Sequence, residues 1–114
     1  MSKQERDKDI ATLGVVLAAE AGPPNQPRQI GADVAKLSQY ARRIQTLNEA
    51  DANQGLSAYQ EARRRGIVWH ATEIAERYSC GLYVNGDPRG AALILKLPSG
   101  ATNDFGQRGW VVPE

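Results

Sequence analysis

Residues 81–100 constrain this chain more than any other stretch. Two β-prone runs, Leu82-Tyr83-Val84 and Ala91-Ala92-Leu93-Ile94-Leu95-Lys96-Leu97, flank Asn85-Gly86-Asp87-Pro88-Arg89-Gly90. Strong turn formers set between apolar runs specify a β-hairpin with a short, stiff, charged tip. Within the tip, Asp87-Pro88-Arg89-Gly90 fits a type I turn, with Asp first, Pro second and Gly fourth. The turn accounts for every tip residue except Arg89. That arginine is therefore a candidate contact for a carboxylate or phosphate, helped by exposed backbone N–H groups forming an anion nest. Neither glycine-rich phosphate-loop spacing is present.

The rest of the chain reads as helix. Ile30, Val34, Leu37, Ala41, Ile44 and Leu47 recur at spacings of three and four, so 30–53 is expected to form one helix with a single apolar stripe. Asp33 in its first turn complements the helix dipole, and Gly55 is the expected stop. Ser57-Ala58-Tyr59-Gln60 is a capping box that opens a second helix over 58–78. Glu73 and Arg77 stand four apart on it, the favourable spacing for an ion pair. Gly66 marks either a bend or a close approach of the first helix. So short a connection makes the two helices antiparallel. Trp110-Val111-Val112 is a candidate third strand after the glycine-rich 103–109. The expected fold is α+β: an αα-hairpin packed on a two- or three-stranded antiparallel sheet.

Residues 1–29 look different. A charged opening leads into the apolar 10–21, weakened as a helix by Gly14 and two valines, and then into Gly22-Pro23-Pro24-Asn25-Gln26-Pro27. These residues are expected to form a loosely attached arm and a Pro-rich linker, leaving 30–114 as the single domain. The apolar run is too short to cross a bilayer, which takes about 20 residues. A soluble, cytoplasmic protein is expected, with no membrane partner and no cofactor.

The chemistry on offer is sparse. Cys80 is the only cysteine and His70 the only histidine, which argues against a zinc site. Cys80 is expected to be an inert packed thiol, and His70 a partly buried helix residue. Arg63, Arg64 and Arg65 form the densest positive cluster, with Arg42 and Arg43 on the neighbouring helix. Three consecutive helical residues splay around the axis and do not serve one ligand together. A face built from Arg42, Arg43 and one or two of the triplet suits phosphates or an acidic partner. The net charge of +1, however, is not that of a dedicated polyanion binder. Trp69 is either an exposed interface anchor or core.

The run from Leu37-Ser38-Gln39-Tyr40-Ala41-Arg42-Arg43-Ile44, through the Gly-Asp-Pro-Arg-Gly segment at 86–90, to Gly109-Trp110-Val111-Val112-Pro113 resembles a set of small uncharacterised proteins of tailed bacteriophages and prophages of Gram-negative bacteria. The resemblance covers roughly residues 35–113 and implies a phage context in a bacterial host cytoplasm. It brings no catalytic residues. Small phage accessory proteins often block a host machine, as anti-CRISPR and other anti-defence inhibitors do.

The resulting expectation is a non-enzymatic binding protein, with Asp87, Arg89, Arg42, Arg43, Arg63, Arg64, Arg65 and Trp69 facing a protein partner. Nucleic-acid binding through the helical arginines is the alternative. A small hydrolase or transferase using Asp87, Arg89 and His70 is the third reading. The oligomeric state is left open.

Overall fold

The computed structural model describes residues 2–21, 27–100 and 109–114. Three helices, α1 (Lys3–Ala21), α2 (Pro27–Gln54) and α3 (Ala58–Arg77), precede three strands, β1 (Gly81–Val84), β2 (Leu93–Lys96) and β3 (Trp110–Val111). The strands form one antiparallel sheet in the order β1-β2-β3. The α+β architecture of an αα-hairpin with a small antiparallel sheet is thus established. Most of the expected linker at 22–27 and of the glycine-rich stretch at 103–109 lies outside the described residues.

The apolar stripe of α2 does what its spacing dictates: Ile30, Val34, Leu37, Ala41 and Ile44 are all buried. Ile67, Ala71, Ile74 and Tyr78 meet them from the α3 side, and Leu93, Leu95, Leu97 and Val112 from the sheet. Ser57 caps α3, its hydroxyl accepting from Gln60 N while the Gln60 side chain accepts from Ser57 N. Gly55 adopts φ 76°, the left-handed conformation that ends α2.

Within the expected arm, residues 3–21 are not loosely attached. Helix α1 packs along α2, and its Leu13 and Leu17 are wholly buried in the same core as the sheet. Arg6 at its start donates to the buried Ser38 hydroxyl of α2 at 3.3 Å. The low intrinsic helicity of Gly14-Val15-Val16 is overridden by this tertiary burial, the usual outcome when an apolar face finds a core.

The connection from α3 to β1 holds a departure from the usual residue preference. Cys80 N donates to Ala75 O, and Ser79 N to Glu76 O, both at 3.0 Å, which closes α3 with a Schellman motif. The motif demands a left-handed residue, and Ser79 supplies it with φ 57°. Glycine is preferred there because it has no Cβ to clash. Ser79→Gly is therefore expected to stabilise the protein by about 0.5–1 kcal/mol, read as a higher urea midpoint at unchanged m-value.

Gly109 is required for a different reason. A Cβ there would sit 2.7 Å from the Leu95 carbonyl oxygen and collide with Ile94 Cγ2. Only a bare backbone enters β3 at that point. At Gly66, by contrast, a Cβ would meet nothing within 4 Å, so this glycine does not mark a close approach of the helices.

Candidate functional site

The hairpin tip is built from the backbone outward. Asn85 N donates to Ala92 O at 2.9 Å and closes the ladder; Gly90 N donates to Asp87 O at 3.3 Å, the bond expected of the type I turn. Asp87 N donates to Asn85 Oδ1 at 3.0 Å, and Arg89 N to Asp87 Oδ1 at 2.9 Å. The Arg89 N–H, first among several causes, holds the Asp87 carboxyl below the usual carboxylate range.

Two amides on α2 grip this turn from beneath. Asn48, almost fully buried, donates from Nδ2 to Asn85 O at 2.8 Å, and Gln45 donates from Nε2 to Pro88 O. Spaced three apart, they lie on one side of α2 and reach two carbonyls of the tip. Sequence periodicity did not single out either residue, because a polar residue at the edge of an apolar stripe reads as solvent face. Arg89 remains 90% exposed, with only a 3.4 Å contact from Nε to Asp87 Oδ1. Arg64 joins the tip from α3. Its guanidinium lies beside Gly86, with an ion pair to Asp51 at 3.8 Å.

The arginine triplet splays as helical geometry requires. Arg64 faces the hairpin, Arg65 is exposed, and Arg63 enters a groove between α2 and α3 with Arg42 and Arg43. That groove encloses about 660 Å³, and Leu47, Ile67 and Tyr59 supply its apolar lining. Tyr59, placed in the apolar period of α3 by its sequence spacing, is 73% exposed. Trp69 is also exposed, at 60%, which resolves its two readings in favour of surface.

At the opposite end of the α2–α3 seam lies a buried polar cluster. Asp33 is only 4% exposed and accepts from Tyr78 Oη, from Arg77 Nη1 at 2.9 Å and from Gln29 Nε2 at 3.0 Å. The mate of Arg77 is thus Asp33 and not Glu73. Glu73 instead lies 3.5 Å from His70 Nδ1. Burial, then the hydrogen bond to Asp33, pushes the Tyr78 hydroxyl well above its ordinary pKa.

His70 is exposed rather than partly buried. Its ring stacks on Tyr40 at 6.5 Å between centroids and meets Trp69 edge-on at 5.1 Å. Its neighbours lie on the helical face, so Asp87, Arg89 and His70 are not assembled into one constellation. Cys80 is buried, with Sγ 3.4 Å from Tyr78 O. Among the described residues no three His, Cys, Asp or Glu side chains converge as a metal site, and no helix is long and apolar enough to cross a membrane.

No family model matches this chain, and no significant match is found among curated proteins or solved structures.

Proposed function

We propose that this chain is a non-enzymatic accessory protein of phage origin that binds a protein partner through the hairpin tip and the helix surface beside it. Blocking a host-defence complex, in the manner of anti-CRISPR inhibitors, is the specific form of that role. The observation that supports it is the tip itself. Asn48 and Gln45 immobilise the turn backbone, while the Arg89 guanidinium stands in water with Arg64 beside the same loop. A long cationic side chain on a pre-ordered loop loses less entropy on binding than one on a mobile loop, which favours it as a contact point. Asp87 supplies an acceptor next to that donor, so the tip suits a polar, charge-mixed protein surface.

The test is affinity capture with the tagged chain from phage-infected host lysate, run in parallel with Arg89→Ala. The substitution is expected to reduce recovery of the specific partner by at least about 10-fold, equivalent to about 1.4 kcal/mol. Its thermal midpoint should stay within about 1 °C of the parent, because the side chain is 90% exposed and makes one long contact, to Asp87. Equal recovery by both baits removes the tip from the interface.

Nucleic-acid binding is retained as a second reading because Arg42, Arg43 and Arg63 converge on one groove. It predicts complexes in a gel shift at low salt that weaken steeply as salt rises. Absence of a complex at low salt removes it.

A further inference from the structure

The outer face of the αα-hairpin is a seam with seven-residue spacing on both helices. Asp33, Tyr40 and Leu47 of α2 stand opposite Arg77, His70 and Arg63 of α3, as antiparallel packing requires. The first pair is an ion pair and the second a ring stack. The third pair lines the open groove, where Arg42, Arg43 and Tyr59 complete the walls. These contacts bridge one end, leaving a smaller cleft of about 320 Å³ lined mostly by polar and charged groups, while the other end opens wider. The seam lies on the side of α2 away from Gln45 and Asn48, so it is a different surface from the hairpin tip.

The geometry points to this open end as the docking site for an acidic amphipathic helix of a protein partner. Three features select that occupant. Leu47 and Tyr59, over the buried Ile67, offer an apolar strip between two helices, the receptor for the i, i+3, i+4, i+7 anchors of a third. Among the described residues Arg42, Arg43 and Arg63 make no ion pair, and Arg42 feels the charge of Glu114 nearby. The groove is therefore positive at its rim and apolar at its floor, the complement of a helix with carboxylates beside its apolar stripe. A second copy of this chain does not satisfy it, because two-fold pairing through this face sets arginines against arginines.

The experiment is a fluorescence-anisotropy titration of the full chain against a labelled amphipathic peptide of about 18 residues, long enough to span the seam as a helix. The peptide carries leucines at i, i+3, i+4 and i+7 with glutamates elsewhere; its control replaces every glutamate with lysine. Saturable binding of the glutamate peptide alone is expected. Arg43→Glu/Arg63→Glu should weaken it at least about 10-fold and Tyr59→Ala about 5-fold, since rim charge and aromatic anchor both contribute. All three side chains are exposed, so far-UV circular dichroism should be unchanged. Arg43→Gln/Arg63→Gln provides a milder variant should the reversals disturb the fold. Arg89→Ala should bind the peptide as the parent does, which separates this face from the tip.

The proposal is overturned by any of four results. They are no saturable binding, equal affinity for the lysine peptide, unchanged affinity in the arginine variants, or concentration-dependent self-association abolished by Tyr59→Ala. Displacement of the glutamate peptide by a single-stranded oligonucleotide at matched charge would reassign the face to nucleic acid.

Discussion

Asp33→Ala is expected to cost about 3 kcal/mol of unfolding free energy, the upper end of the range for stranding a buried hydrogen-bonding group. Geometry sets that figure. Asp33 is the acceptor for Tyr78 Oη, and Tyr78 is wholly buried, so alanine leaves a hydroxyl without a partner and without water. A stranded buried donor alone costs about 1–3 kcal/mol. Arg77 adds less, because its side chain is half exposed and water recovers most of what the carboxylate gave. Urea denaturation of Asp33→Ala, Tyr78→Phe and the double variant separates these contributions. The double variant should be less destabilised than the sum by at least about 1 kcal/mol, since Phe needs no acceptor. Additive losses would mean that the two side chains do not meet.

The same cluster sets an alkaline limit. Tyr78 must stay protonated in the folded state, so its folded pKa lies above its unfolded one. Its contribution is therefore complete below the ordinary tyrosine pKa of 10.0 and is lost as pH rises beyond it. Tyr78→Phe should flatten the stability profile above that value.

Leu17→Ala carries an expected loss of about 3 kcal/mol, within the 2–5 kcal/mol observed for buried leucines. Helix α1 packs on α2 and Leu17 is wholly buried in the core cluster, so its truncation leaves a cavity inside the shared core. For a chain of this size the thermal midpoint should fall by roughly 10 °C in a single transition. Val15, 71% exposed two residues away, is the control, and Val15→Ala should move stability by less than about 0.5 kcal/mol. Were α1 a detachable arm, both variants would behave alike. A separate early transition for Leu17→Ala would have the same meaning.

Asp33 and Leu17 also show what was and was not legible in the chain. The hairpin, the α2 stripe and the α3 cap follow from local rules: turn chemistry, helical period and capping-box spacing. All three are in place in the structure. The role of α1 was hidden because local propensity opposed it; Gly14, Val15 and Val16 weaken a helix that only tertiary contact stabilises. Asp33 was hidden for a related reason. Its expected place in a first helical turn had a sufficient local explanation, yet α2 begins at Pro27 with no acidic residue in its first turn, and besides nearby Gln29 the partners of Asp33 stand 44 and 45 residues away. Glu73 and Arg77 illustrate the converse: the right spacing for a pair, yet each satisfied elsewhere. The arginines divide similarly. Helical geometry foretold that the triplet would separate, but which member faces Arg42 and Arg43 depends on the rotation of α3 about its axis.

The amides of Gln45 and Asn48 hold main-chain oxygens, and neither relies on what residues 87 or 89 carry as side chains. The group projecting at 89 can therefore be exchanged without disturbing the platform below it, whereas the Asp87 carboxylate, which accepts from Arg89 N, is part of that platform. Position 89 is thus one letter of the chain that selection, or an engineer, is free to rewrite while the scaffold stays indifferent to the change.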